Sequence, residues 1–125
     1  MADANAAGVL VVDDEQFFRQ VLRDMLQRDG FRVVAEASSG DEAVEKFRES
    51  TPDLVLMDVY MPGKNGIEAT REIMALAPSA KIIICSGSGY DDDINAGMQA
   101  GARGIIFKPF FEAEVMETII NLLKA

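Results

Sequence analysis

Val9-Leu10-Val11-Val12-Asp13-Asp14-Glu15 is a short aliphatic run, mostly β-branched, that stops abruptly on three acids. β-Branched residues suit extended backbone. A run that is apolar at every position, not at every second one, needs cover on both faces. Such a strand belongs inside a parallel sheet with helices packed above and below. Four more runs of this kind follow: Phe31 to Ala35, Leu54 to Met57, Lys81 to Cys85, and Ile105 to Phe107.

The segments between them carry helical periodicity. Phe18, Leu22 and Met25 share one face, widened by Val21 and Leu26. Ala43, Val44 and Phe47 form a second stripe; Ile67, Ile73, Met74 and Ala77 a third; Val115, Met116, Ile119, Ile120 and Leu123 the last. Ser39 with Glu42, and Asn65 with Glu68, each place a capping side chain three residues before a glutamate. Gly30 supplies a stop for the first helix, and Pro52 and Pro78 follow the second and third. The segment from Asp92 to Ala100 is the weakest, because Gly97 costs a helix interior about 1 kcal/mol relative to alanine. A short or mobile helix is expected there. Five alternations of strand and helix, joined by right-handed crossovers, predict an α/β fold with a doubly wound parallel sheet.

Composition narrows the function. The 125 residues fit one domain, and no apolar run is long enough to span a bilayer. Residues 1–7 read as a short leader and residues 8–125 as the domain. No secretory signal is visible in the small, polar, acidic start, and a single cysteine, Cys85, points to a reducing cytoplasm. A net charge of −9 argues against nucleic acid, whose binding draws on basic side chains. The absence of histidine excludes His-based acid–base chemistry and His metal sites. Carboxylates, hydroxyls and lysines must carry any chemistry.

In doubly wound sheets the ligand site lies outside the carboxyl ends of the strands. The residues there are Asp13, Asp14 and Glu15 after the first strand, Asp58 after the third, Ser86, Gly87 and Ser88 after the fourth, and Lys108 and Pro109 after the fifth. Two carboxylates about 5 Å apart repel by roughly 3 kcal/mol at an effective dielectric of about 20, so three such pairs approach about 10 kcal/mol. Lys108 offsets part of this, and a divalent cation bound by oxygens offsets the rest. Few ligands and open positions favour Mg²⁺. A metal with open positions beside a lysine and a hydroxyl is a phosphoryl-transfer arrangement in which a carboxylate can be the nucleophile.

Each residue also has a plainer reading. Asp14 can cap the first helix, Asp58 can lead the turn into Met61-Pro62-Gly63, Ser86 can be a satisfied buried hydroxyl, and Lys108 can be a surface lysine. Asp91, Asp93 and Asn95 match the start of a calcium loop, but Ala96 and Ala102 stand where glycine and glutamate are required; the run reads as the acidic start of the fourth helix. No glycine-rich phosphate loop is present in the sequence, and Cys85 reads as a strand residue.

Taken together, Val11-Val12-Asp13-Asp14-Glu15, Leu56-Met57-Asp58, Met61-Pro62-Gly63, Asn65-Gly66, Ser86-Gly87, Ala100-Gly101-Ala102 and Phe107-Lys108-Pro109-Phe110 resemble the receiver domains of two-component response regulators. The likeness is greatest to the single-domain chemotaxis-type members and runs from Gly8 onward. It implies a flavodoxin-like five-stranded sheet, order 2-1-3-4-5, with five helices. It implies that Asp58 accepts a phosphoryl group from the phosphohistidine of a sensor histidine kinase or phosphotransfer protein. Asp14, Asp58 and the backbone carbonyl of Tyr60 would bind Mg²⁺, with Asp13 acting through a coordinated water, while Ser86 and Lys108 would contact the phosphoryl group. Pro109 would follow a cis peptide bond. The chain would be no turnover enzyme but a switch that catalyses its own phosphorylation and autodephosphorylation. Phosphorylation would change the surface of the fourth helix, fifth strand and fifth helix to control an effector, as a monomer or a phosphorylation-dependent dimer.

There are three departures from the pattern, the second at a pair of positions. Ile105 stands where relatives often carry an aromatic switch residue, and Phe107, on the same strand face, is read as core. Tyr60 and Ser88 occupy positions that tune phosphoryl lifetime in the family. Phe111 stands where a polar helix cap is common, and Phe110 is expected to be buried. Three rival readings remain: an aspartate-nucleophile phosphatase, which wants a second acid where Tyr60 stands; a receiver-like interaction module that is never phosphorylated; and a trimmed receiver of a larger response regulator.

Overall fold

The computed structural model describes residues 7–87 and 91–124. Strands β1 (Gly8–Val12), β2 (Arg32–Ala37), β3 (Leu54–Asp58), β4 (Ile82–Ser86) and β5 (Gly104–Phe107) alternate with helices α1 (Gln16–Arg28), α2 (Gly40–Ser50), α3 (Gly66–Leu76), α4 (Asp91–Ala100) and α5 (Glu112–Lys124). All strand pairs are parallel, in the order β2-β1-β3-β4-β5. β1, β3 and β4 are buried along their whole length, as their unbroken apolar runs require.

Two clusters sandwich the sheet. On one face Leu10, Val12, Val55, Met57, Ile82 and Ile84 meet the apolar stripes of α2 and α3 and the end of α4. On the other, Val9, Val11, Leu54, Leu56, Ile83 and Cys85 meet α1 and α5. The helices therefore change sides between β1 and β3. That switch leaves a crevice at the strand ends, where Asp13 and Asp58 emerge side by side.

Two strands run further than their apolar residues suggest. β3 includes Asp58 and β4 includes Ser86, because the ladder continues through Asp58↔Cys85 and Ser86↔Phe107. The site residues are thus held by sheet hydrogen bonds and not by loose turns. β2 starts one residue and ends two residues downstream of expectation: Phe31 is buried just before it, and the strand runs on to Ala37.

The caps form as read, with one variation. Asn65 and Glu68 make a reciprocal capping box. Ser39 Oγ accepts from Glu42 N at 3.1 Å, whereas the Glu42 carboxylate reaches back one residue further, to Ser38 N at 2.6 Å. α4 forms over 10 residues despite Gly97. A Cβ at Gly97 would lie 2.9 Å from Ile84 Cγ1, so the missing side chain lets α4 press on β4. Phe107 is not core: at the last position of the edge strand β5 it is 44% exposed, while Ile105, two residues earlier, still packs on the α2–α4 side. Phe110 is buried and Phe111, just before α5, is exposed.

Candidate functional site

Asp13 follows β1, with its N–H extending the ladder to Ala37 O at 3.0 Å. Lys108 follows β5 in the same way, its N–H donating to Ser86 O at 2.8 Å. The sheet thereby aims both side chains across the crevice toward Asp58. Asp13, Asp14 and Asp58 each offer a carboxylate oxygen within 4.8 Å of the others. Lys108 Nζ lies 2.8 Å from Asp13 Oδ2 and donates to Asp58 Oδ1 at 3.2 Å. Asp13, Asp58 and Ser86 are buried, and only 11% of the Lys108 side chain is exposed. The surface-lysine reading of Lys108 is therefore overturned.

Capping by Asp14 is overturned as well. Glu15 occupies the N-cap of α1 and makes no side-chain cap bond. The local bond in this loop comes from Asp13, whose Oδ1 accepts from Glu15 N at 2.9 Å. Asp14 is left exposed, with its carboxylate facing the other two acids.

The electrostatics follow from burial. Loss of water and the adjacent Asp13 charge push the Asp58 carboxyl up to about 6, against the pull of Lys108. Burial opposes the Lys108 charge, yet Asp13 and Asp58 hold its ammonium above the ordinary lysine value. One ammonium does not neutralise three acids. The unbalanced, oxygen-only donor set, with one exposed member open to solvent, fits a hard divalent cation that keeps waters.

Around these groups Glu15, Phe18, Tyr60, Gly87 and Pro109 line a shallow, open depression with Asp58 and Lys108. The Lys108–Pro109 peptide is cis. Tyr60 is largely exposed, and its hydroxyl is hydrogen-bonded to the Asp93 carboxylate on α4. Ser88 lies outside the described residues. The acidic run beginning at Asp91 forms the start of α4, as expected.

Three residues of the site escape a strand-end reading. Arg19 Nη1 donates to Asp13 O at 2.6 Å, and its Nε donates to Glu36 at 3.2 Å, which pins the acidic loop. Gly66 lies against the backbone carbonyl of Asp58, where any Cβ would collide, and its N–H donates to Val59 O at 2.9 Å. Phe18 lies beneath Lys108, with Nζ 4.0 Å from its ring centroid. Arg19 carries no sequence signal beyond following the acidic loop within the first turns of α1, and Phe18 reads only as a member of that helix's apolar stripe.

This fold and this rim define a class, and comparison with known proteins gives the same one. Residues 9–120 match the response regulator receiver domain, and the chain belongs to that family. It is 45% identical to the chemotaxis protein CheY of Thermotoga maritima over 93% of this chain and 97% of that one. It is 46% identical to CheY of Bacillus subtilis over 92% of this chain and 96% of that one. Among solved structures, the CheX-CheY-BeF3-Mg complex from Borrelia burgdorferi matches with a TM-score of 0.90 at 30% identity, covering 93% of this chain and 88% of that one. The chain is a CheY-like receiver of two-component signalling.

Proposed function

We propose that residues 8–125 form a phosphorylation-activated switch whose acceptor is Asp58. The observation that carries this reading is the buried Asp58 carboxylate, within 4.8 Å of two further acids and 3.2 Å from the Lys108 ammonium. In the transfer, an Asp58 oxygen attacks the phosphorus of a phosphohistidine or small phosphodonor. The Oδ–P bond forms as the donor's bond to phosphorus breaks, and the donor leaves with that electron pair. Lys108 neutralises charge on the transferred oxygens, and Ser86, one strand over, hydrogen-bonds them. Asp14, Asp58 and the Tyr60 carbonyl would hold Mg²⁺, with Asp13 acting through a coordinated water. When bound, Mg²⁺ supplies the remaining positive charge that the transferred phosphoryl group needs.

Later a water oxygen attacks the phosphorus, the Asp58 Oδ–P bond breaks with its electron pair returning to the carboxylate, and inorganic phosphate leaves carrying the water's protons. Tyr60, on the rim of the depression, limits the access of that water. Phosphorylation adds close to two negative charges, and the α4, β5 and α5 surface responds and controls an effector protein. A sensor histidine kinase or phosphotransfer protein supplies the phosphoryl group in the cytoplasm. Residues 1–7 are a leader outside the switch, and the phosphorylated form acts as a monomer or a dimer. Among the described residues no helix is long and apolar enough to cross a membrane.

The test is direct. Incubation with acetyl phosphate and Mg²⁺ is expected to add one phosphoryl mass to the wild type and none to Asp58→Asn. A gain that survives Asp58→Asn, or no gain at all, overturns the reading. In the same assay Tyr60→Ala is expected to lose the label several-fold faster; an unchanged decay removes the shielding role.

A further inference from the structure

We infer that Phe18 is a positioning residue: its ring face holds the Lys108 ammonium in place while the charges around it change. The inference rests on the phosphoacceptor reading of Asp58. Lys108 Nζ lies 4.0 Å from the Phe18 centroid, with Asp13 Oδ2 at 2.8 Å and Asp58 Oδ1 at 3.2 Å. The ammonium therefore has two carboxylates and one π face around it. The ring is itself braced. Phe110, buried two residues beyond Lys108, meets it edge-on at 5.7 Å and 85°, and Phe17 meets it at 5.3 Å and 73°. Phe18 thus bridges the start of α1, which follows the acidic loop, and the exit of β5, which carries the lysine.

Both carboxylate partners are variable. A divalent cation drawn to Asp13 and Asp58 competes with the ammonium for the same oxygens, and a phosphoryl group on Asp58 moves the negative charge outward. A lysine held only by those ion pairs, on a stem with four rotatable bonds, would swing as they change. The ring quadrupole neither titrates nor binds the metal, so its hold on the ammonium stays constant through the cycle. Phe18 also packs on the α1–α5 cluster. A role confined to that packing predicts that an aliphatic side chain serves as well as a ring.

The experiment separates these roles on the full chain. In metal-free protein the Lys108 Hε protons, assigned with Lys108→Arg, are expected upfield of those of the other lysines because they lie against a ring face. Phe18→Leu is expected to return them to the ordinary lysine position, and Phe18→Tyr to leave them shifted. With acetyl phosphate and Mg²⁺, Phe18→Leu is expected to slow phosphoryl uptake by about three- to tenfold, with Phe18→Tyr recovering most of that loss. In a Lys108→Met background Phe18→Leu is expected to add no further loss, whereas a packing defect would add its full effect. Unmoved Lys108 signals in Phe18→Leu, or an equal loss in the Lys108→Met background, overturn the inference. If the wild type takes up no phosphoryl group, the acceptor reading falls, and the Lys108 signals alone decide whether the ring holds the ammonium.

Discussion

Asp58 is an acid kept where an acid is costly. Its carboxyl is pushed from 3.8 up to about 6, first by burial and then by Asp13. A raised folded-state value means that the folded chain binds more protons than the unfolded chain between those two limits. Stability from this group is therefore present below about pH 4 and is lost as pH rises through about 6. Asp58→Asn is expected to melt several degrees above the wild type at neutral pH without metal, with the gap closing toward pH 4. Mg²⁺ is expected to raise the wild-type midpoint and to leave that of Asp58→Asn nearly unchanged. Thermal melts with and without Mg²⁺ between pH 4 and 8 check both; a gap independent of pH would place the cost of Asp58 elsewhere. The acidic rim was legible in the sequence because Asp13, Asp58 and Lys108 each follow directly on an apolar run and Asp14 adjoins Asp13. Phe18 was not, because a phenylalanine on a core stripe has the same spacing whether or not a lysine lies over its face.

The elements show the same division. The unbroken apolar runs mark β1, β3 and β4, and their stopping points give the site. They understate β3 and β4 by one residue, since Asp58 and Ser86 are polar yet paired in the ladder. Phe107 misleads in the opposite sense: strand alternation predicts its face correctly but says nothing of how far the cover extends along an edge strand. Gly97 reads as a weakness of α4, whereas its contact with β4 is a packing requirement that only the three-dimensional neighbour reveals. Gly97→Ala gains about 1 kcal/mol of helix propensity but forces a methyl to 2.9 Å from Ile84 Cγ1, an overpacking that costs about 1–3 kcal/mol. A net loss of up to about 2 kcal/mol in urea denaturation is expected; a gain would mean that α4 can lift from the sheet without cost.

At the scale of the molecule, one sheet carries both parts of the architecture. Its centre is closed on two faces by the clusters on either side, and its carboxyl edge gathers charge that would not tolerate burial at the centre. The boundary between them is abrupt: Met57 and Asp58 are neighbours, one wholly within the core and the other beside a lysine. Cys85 sits on that boundary. It is the sole cysteine, is 1% exposed and is the ladder partner of Asp58. Burial pushes its thiol far from the reactive thiolate form. A thiol reagent can thus reach it only when the strands part, which makes the chain its own stopwatch for opening at the acceptor site. Labelling is expected to run at least about a thousandfold slower in the folded protein than in denaturant, slower still with Mg²⁺, and faster in Gly97→Ala.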